Sequence, residues 1–490
     1  LDSRTYFNSL GKAGMDIYGA LRSGLDKKTR NIKIAHDYIK NLMGETDISE
    51  WSGDKAKLHE FETEGRKELK LTTAQVMSLY RLLQRDQAKK HILEGGIRPE
   101  KIITKAVKLK KEVTRYYEPI RVTEKDLLNI IGTLTPEQKR IADGITDFFT
   151  STTSAWGNEV SMQLYGYRKF MARNYFPIVS DNSFTNSASG DQQGNVQTLK
   201  NMGSTKATVP HAGNPIILQD IFDVYARQSD QMASYNAFVV PLTDLQKWYN
   251  YRGDPTITKY KKSVKQTITR TMGQNGRAYL DTLVRRINGV AEKETAKQIW
   301  SSLTSNMKSA AIGANLRVVL QQPTAIVRAA TVIDAKYLMK GMTKKANGDQ
   351  MKKYAPIAQW KDWGYFEMDT GRQMKDVILG KESLKDKAMA PAGMADDFTW
   401  GKIWNAVLYE TKDKTNLKPG SEEFYQAAGK RFSEIIDRTQ VVDSILHRSS
   451  VMIQKDNATK MATSFMSEPI KTYNMVYDTL MNTPGGKKEV

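Results

Sequence analysis

The chain has 490 residues, a length typical of about three domains, and its 74 Lys and Arg against 54 Asp and Glu give a formal net charge of +20. Such an excess attracts polyanions such as nucleic acid, anionic lipid or an acidic protein. The absence of cysteine excludes disulfides, thiolate zinc sites, iron–sulfur clusters and cysteine nucleophiles.

No run of 18 apolar residues is present, so we expect no membrane-spanning helix. The chain begins at Leu1 without an apolar leader, so we expect no secretory signal. A first residue other than Met indicates a processed product or part of a longer chain.

Helical periodicity predominates and predicts a mainly α protein of multi-helix, bundle-like domains. A Ser-, Asn-, Gly- and Gln-rich stretch at 180–214 predicts a polar, low-complexity linker or arm after an N-terminal helical region, 1–179. A central helical region, 215–340, carries a basic insert at 255–280, and a C-terminal helical region covers 341–490.

The clearest helical stripe follows Asn214 and Pro215, which are typical of a helix cap and first turn, and Pro241 is expected to end that helix. Its apolar members are Ile217, Ile221, Val224, Met232, Tyr235 and Val239. Strand signals are scarce. Two Thr-Ile-Thr segments, Thr256–Thr258 and Thr267–Thr269, predict a small β-hairpin near 256–269.

Two basic runs are candidate nucleic-acid-binding segments, because lysines can neutralise phosphates while neighbouring tyrosines stack on bases. The competing interpretation is a solvated basic face. Tyr116 and Tyr117 follow the first run, and Tyr260 lies within the second. The candidate DNA-binding residues are Lys105, Lys108, Lys110, Lys111, Arg115, Lys259, Lys261, Lys262, Lys265 and Arg270.

Catalytic motifs are weak. Neither phosphate-binding loop, Gly-x-x-x-x-Gly-Lys-Ser/Thr or Gly-x-Gly-x-x-Gly, occurs, so we expect no nucleotide cofactor. No His-Glu-x-x-His occurs, and His91 is better explained as a helix-end histidine than as a metal ligand. His447 beside Ser444 lacks a nucleophile elbow. Asp396 and Asp397 are typical of a helix start. We therefore predict no catalytic or metal-binding residues.

Two stretches resemble a known family. They are Asn315-Leu-Arg-Val-Val-Leu-Gln-Gln-Pro-Thr-Ala325 and a segment that starts at Arg431-Phe-Ser-Glu-Ile-Ile-Asp-Arg-Thr-Gln440 and ends at Thr463-Ser-Phe-Met-Ser-Glu-Pro469. Both are similar to the helical "large polyvalent protein"-associated domains of phages and prophages. The resemblance implies an internal virion protein that is located inside the virion and enters the host cell with DNA. It carries over no active-site residue.

The polar residues of these stretches predict a structural network that locks helices together, since buried polar groups must be hydrogen-bonded. Its members are Gln321, Gln322, Arg438, Thr439, Gln440 and Arg448. The alternative is functional: Arg317, Arg328, Arg438 and Arg448 would present a cationic cleft to a phosphate backbone.

These observations favour a non-catalytic, DNA-proximal structural module that also contacts other virion proteins or itself. Two alternatives stay open. One is a membrane-active ejection conduit, since the lysines after the apolar segment 305–339 suit an anionic membrane surface. The other is a hydrolase whose carboxylates are gathered by the fold.

Overall fold

The computed structural model describes residues 2–53, 56–65, 67–106, 111–116, 118–178, 214–252, 263–287, 324–363, 378, 384–440, 446 and 467–482. The prediction of a mainly α protein is confirmed. The helices before residue 300 are α1 (Ser3–Asn8), α2 (Gly11–Met43), α3 (Thr73–Leu83), α4 (Asp86–Gly95), α5 (Glu124–Gly132), α6 (Pro136–Phe148), α7 (Ser154–Tyr165), α8 (Ile221–Asn250) and α9 (Val264–Ile287). Those after it are α10 (Thr324–Ala329), α11 (Ala335–Thr343), α12 (Gly348–Tyr354), α13 (Pro356–Trp363), α14 (Leu384–Lys414), α15 (Glu422–Thr439) and α16 (Ser467–Tyr477).

Two small sheets accompany the helices. Strands β1 (Leu58–Glu62) and β2 (Glu68–Thr72) pair antiparallel. Strands β3 (Ile97–Ala106) and β4 (Lys111–Tyr116) also pair antiparallel, and β5 (Ile216–Leu218) adds to β3 in parallel, which gives the order β4-β3-β5. The first predicted basic run therefore lies on a strand pair.

Local sequence signals explain several helix starts. Thr72 with Gln75, Thr123 with Asp126, and Thr135 with Gln138 each form a capping box, in which two otherwise unpaired amides are satisfied reciprocally. Helix α6 is followed by a π-helical segment, Phe149–Thr153, and then by α7, with no break in the helical path. Such π segments widen one turn of a helix.

The centre of the core is the contact between α2 and α8. The Tyr225 hydroxyl donates to the Ala35 carbonyl at 2.6 Å, and the Asn31 amide donates to Asn236 at 2.9 Å. Gly24 is required at the crossing, since a Cβ there would lie 2.7 Å from the carbonyl oxygen of Ala237. A larger residue would force the two helices apart.

The apolar stripe predicted for the helix after residue 214 is mostly correct, but both predicted ends of that helix are wrong. Ile221, Val224, Met232, Tyr235 and Val239 are buried on α8. The helix starts later than predicted, because residues 216–218 form β5 and the carboxylate of Asp220 caps α8.

Pro241 does not end α8, which continues to Asn250. A proline lacks the amide that would bond the carbonyl four residues earlier, which here is that of Ala237. That carbonyl lies against Gly24 of α2, so packing supports the helix at the position where the proline weakens it.

The predicted hairpin near 256–269 is wrong at its second segment. Thr256–Thr258 lies outside the described residues, and Thr267–Thr269 lies in α9. Ser263 and Gln266 cap this helix reciprocally at 3.2 and 2.9 Å. The Thr267 and Thr269 hydroxyls donate to carbonyls four residues earlier, which accommodates β-branched residues in a helix.

Asp396 and Asp397 do not start a helix either, since both lie inside α14. In the part of the chain that the structure describes, no helix is both long and apolar enough to span a bilayer.

Candidate nucleic-acid interface

For the first predicted basic run, the structure describes backbone positions only. Lys105, Lys111 and Arg115 lie on β3 and β4, where Lys101 is opposite Arg115 in the register. The side chains of all three, and Lys108 and Lys110 entirely, lie outside the described residues.

The second run is described only from residue 263 onward, so Lys259, Lys261 and Lys262 also lie outside the described part. Lys265 and Arg270 are on α9. The Lys265 ammonium lies 5.3 Å from the centroid of the Tyr249 ring, a cation–π contact within the fold. Arg270 is exposed. The assignment of this run to DNA stays a prediction.

Half of the predicted polar network can be located. Thr439 and Gln440 are buried at the end of α15, where the Gln440 amide donates to the Thr439 hydroxyl at 3.1 Å and that hydroxyl donates to the Ile435 carbonyl at 2.8 Å. Arg438 is exposed and lines a cavity. Gln321, Gln322 and Arg448 lie outside the described residues.

His91 is buried, and its Nε2 lies 2.8 Å from the Asn214 carbonyl oxygen. This pairing ties α4 to the chain that enters β5. Within the described ranges, no group of three or more His, Asp or Glu is arranged to hold a metal ion.

A second buried ionic network links the two ends of the chain. Asp437 on α15 accepts from the Tyr18 hydroxyl of α2, and its Oδ1 lies 3.3 Å from Nε of Arg22. Arg22 also contacts Asp26 at 2.6 Å. Burial raises the pKa of Tyr18 and the negative charge of Asp437 raises it further, so the phenol remains a donor. The network is ionic and incompletely hydrogen-bonded, because Nε and Nη2 of Arg22 have no hydrogen-bond partner among the described residues.

An exposed aromatic and basic surface lies where α7 ends. We name it the tyrosine platform and define it as Tyr165, Tyr167, Lys169, Arg168 and Arg173. Gly166 adopts the left-handed conformation (φ 76°, ψ 4°) and ends the helix, and its amide donates to the Met162 carbonyl at 3.1 Å. This turn directs the chain out of the helix between two tyrosines.

Phe170 anchors the turn. The Asn158 side chain bonds both the amide and the carbonyl of Phe170 at 2.9 Å. The Phe170 ring packs edge-on against Tyr235, and it lies 2.6 Å from where a Cβ on Gly157 would be. The turn is thus held by the buried Phe170 ring, while Tyr167 and Met171 on either side of it are exposed.

The platform rings are accessible. Tyr165 and Tyr167 are 48% and 57% exposed, their centroids are 6.2 Å apart, and Lys169 Nζ lies 3.1 Å from the Tyr165 centroid. Arg168 and Arg173 are exposed and have no acidic partner among the described residues. Rings beside cations can stack on bases while the cations contact phosphates.

The segment of chain that carries the platform contains basic residues and no acidic ones. No Asp or Glu occurs from Val160 to Ile178. The preceding acid, Glu159, is paired with Lys27 at 2.7 Å. Partial burial raises the pKa of Glu159, but hydrogen bonds from Lys27 and Asn236 outweigh it and hold this pKa below its usual value. The carboxylate is therefore ionised and already neutralised by its partner.

The tyrosine platform is not among the sites predicted from the sequence, because those predictions rest on long lysine runs. The signal was present as Tyr-Gly-Tyr-Arg-Lys inside an acid-free stretch, residues 165–169. Helical periodicity does not show that Phe170, rather than Tyr165 or Tyr167, is the buried ring.

No protein-family model, no curated protein and no solved structure matches this chain.

Proposed function

We propose that this chain is a non-catalytic structural protein that binds nucleic acid, with the tyrosine platform as a contact for single-stranded segments. The observation that carries the proposal is the pair of exposed rings with Lys169 against them, in an acid-free stretch that also carries the exposed Arg168 and Arg173. The net charge of +20 supports it, since it draws polyanions to the surface.

Single strands suit this surface better than a duplex. Bases of a single strand are free to stack on a protein ring, whereas those of a duplex already stack on one another. A turn that projects two rings contacts base faces and does not read base edges, so the binding is tolerant of sequence.

The decisive experiment measures the affinity of labelled oligothymidine for wild type and for the Tyr165→Ala and Tyr167→Ala variants. A stacked base contributes about 1–3 kcal/mol, so each truncation should weaken binding about 5- to 150-fold. Tyr165→Phe and Tyr167→Phe keep the rings and should bind nearly as wild type.

A matched control is Tyr251→Ala, which removes a 61% exposed tyrosine at the end of α8. It should leave affinity unchanged. Arg168→Gln with Arg173→Gln should flatten the plot of log affinity against log salt by about 1.4, since each single-strand phosphate contact contributes about 0.7. Equal losses in the Tyr251 and Tyr167 variants, or no binding at low salt, would refute the proposal.

A vesicle-binding experiment tests the membrane alternative. Co-sedimentation with vesicles of anionic lipid, together with no affinity for oligothymidine, would replace nucleic acid by a membrane surface as the partner.

We also propose a place for the protein inside a phage virion, with delivery to the host cell alongside DNA. The resemblance of residues 315–325 and 431–469 to phage polyvalent-protein domains supports this. Mass spectrometry of purified, protease-treated particles of the encoding phage or prophage should find peptides of this chain. Particles without them would overturn the assignment.

A further inference from the structure

A cavity of about 340 Å³ lies where α1 meets α10, the end of α15, α16 and the π-helical segment that follows it, Asp478–Asn482. This is within the usual range for small-ligand pockets. It is distinct from the tyrosine platform, since none of the platform residues lines it.

The wall of the cavity is basic. Its cations are Arg4, Arg328, Arg438 and Lys471, and its acids are Asp2 and Asp478. The described lining therefore carries two more positive than negative charges.

Both acids are already engaged by neighbours. Asp478 forms an ion pair with Arg4 and accepts from the Asn8 amide at 3.1 Å. Asp2 accepts from the Thr5 backbone amide at 2.8 Å, and its other oxygen lies 3.5 Å from Lys471 Nζ. The acids thus hold the cavity together and do not cancel all of its positive charge.

Arg438 is the cation best placed to act on a ligand. It is exposed, and in the described part of the chain it has no ion-pair partner. Partial desolvation lowers the pKa of Arg438, and the nearby positive charge of Arg4 lowers it further. Crowded guanidinium groups of this kind gain from a shared anion, which each can bind with two parallel hydrogen bonds.

Asn474 supplies an independent indication of a ligand. It is 97% buried on α16 and lines the cavity, yet neither its Nδ2 nor its Oδ1 has a hydrogen-bond partner among the described residues. A buried amide without partners is destabilising, so such groups are normally satisfied by something that enters the site.

We propose that this cavity binds a phosphate group, with Arg438 contacting its oxygens and Asn474 donating a further hydrogen bond. A phosphate monoester carries about −1.5 to −2 charge at pH 7 and three acceptor oxygens, so it suits an arginine and an amide donor better than a single carboxylate does. Val332, Met475 and Val476 add apolar wall, which suits a phosphate attached to an organic group. The phosphate can come from a free nucleotide or from the end of a nucleic-acid strand.

The test is calorimetric titration of the full chain with inorganic phosphate, adenosine 5′-monophosphate and adenosine. The two phosphates should bind saturably and adenosine should not. Arg438→Gln removes a charged hydrogen bond and should weaken phosphate binding about tenfold or more. The control Arg252→Gln changes an exposed arginine that does not line the cavity and should bind as wild type.

Asn474→Leu separates a ligand role from a structural one. An apolar side chain of similar size removes the unpartnered buried amide, so thermal stability without ligand should be retained or rise. Phosphate affinity should nevertheless fall. A loss of stability with unchanged affinity would show that Asn474 acts in packing alone and would overturn its assignment.

Competition then separates the two sources of phosphate. A 5′-phosphorylated oligothymidine that displaces adenosine 5′-monophosphate, when the 5′-hydroxyl form does not, supports a strand end. Failure of both oligonucleotides supports a free nucleotide. No saturable heat with either phosphate, or equal weakening by Arg438→Gln and Arg252→Gln, would refute the site, whatever the outcome at the tyrosine platform.

Discussion

Replacing Asp437 by Ala should lower the free energy of unfolding more than any substitution on the exposed face of α15. Asp437 is 4% exposed, accepts a hydrogen bond from Tyr18 and forms an ion pair with Arg22, both on α2 and more than 400 residues earlier in the chain. Alanine removes this acceptor and leaves a phenol and part of a guanidinium group buried without it. The substitution therefore tests whether the network stabilises the contact between α2 and α15.

The size of the expected loss of stability follows from the burial of Asp437, Tyr18 and Arg22. Removing one partner of a buried ion pair costs about 3–5 kcal/mol, because the remaining charge has lost both water and its counter-ion. Asp26, 2.6 Å from Arg22, remains and places the expected loss at the lower end of that range. Tyr18→Phe keeps the ion pair and removes only a hydrogen bond to a charged acceptor, so it should cost about 1.5–3 kcal/mol.

The assay is equilibrium unfolding in urea, followed by far-ultraviolet circular dichroism and tryptophan fluorescence. Coincident transitions by the two probes establish that one free energy of unfolding applies. If the variants and wild type share the same dependence of the free energy on urea concentration, the shift in the midpoint concentration of urea gives the change in the free energy of unfolding. The control is Glu434→Ala on the same helix. The Glu434 side chain is 53% exposed and its carboxylate lies 3.6 Å from Arg431, so its removal should cost at most about 1 kcal/mol.

The double variant Tyr18→Phe with Asp437→Ala sharpens the test. Because both single changes remove the same hydrogen bond, the double variant should cost less than their sum by about 0.5–3 kcal/mol. An Asp437→Ala variant within about 0.5 kcal/mol of wild type would refute the reasoning. Strict additivity would show that the two side chains do not interact in solution.

Three further predictions use other parts of the fold. Gly24→Ala should lower the free energy of unfolding, measured in urea, by about 1–3 kcal/mol, because the added Cβ meets the Ala237 carbonyl. Gly19→Ala on the same helix meets no neighbouring atom and should raise this free energy by about 0.5–1 kcal/mol. A loss of stability in both variants would contradict the prediction. Burial raises the pKa of Glu410, but hydrogen bonds from Arg431 and Lys414 outweigh it and hold the pKa below its usual value. The contribution of Glu410 is then complete above its unfolded-state pKa and disappears as the pH falls through the lower folded value, so the stability difference between wild type and Glu410→Gln should shrink below about pH 4; a difference that is constant with pH would oppose it. Gln at 259, 261, 262 and 265 together should flatten the salt dependence of duplex DNA binding by about 3.6, at about 0.9 per phosphate contact; an unchanged slope would remove the second basic run from the interface.

Sequence patterns predicted the helical class and much of one core stripe, because both depend on the spacing of apolar residues along the chain. Two of the errors were a helix end and a segment assigned to the wrong kind of element. Pro241 was expected to end α8, yet the helix passes it because Gly24 allows α2 to pack against the carbonyl that the proline leaves unbonded. Thr267 and Thr269 were expected in a strand, yet an adjacent cap and their own hydroxyl bonds place them in a helix.

The functional surfaces were less accessible to prediction. In sequence, Tyr165 and Tyr167 look the same as buried tyrosines. Their exposure depends on the tertiary contacts of Asn158 and Tyr235, which hold Phe170 as the buried ring of this turn. Arg328 and Arg438 were grouped as one alternative cationic cleft, and both line the cavity. Arg4, Lys471 and Asn474 joined them only through the packing of α1 and α16.

The sequence by itself determined the net positive charge, the absence of thiol chemistry and the helical class, since these depend on composition or on the spacing of residues a few positions apart. Tertiary structure alone decided which polar groups meet. Asp437 pairs with Tyr18, and Asp478 with Arg4, across more than 400 residues of chain, and the energy of such pairs depends on burial and angstrom-scale distance. Sequence spacing carries neither quantity, so the network, the platform and the cavity emerge only when the helices pack.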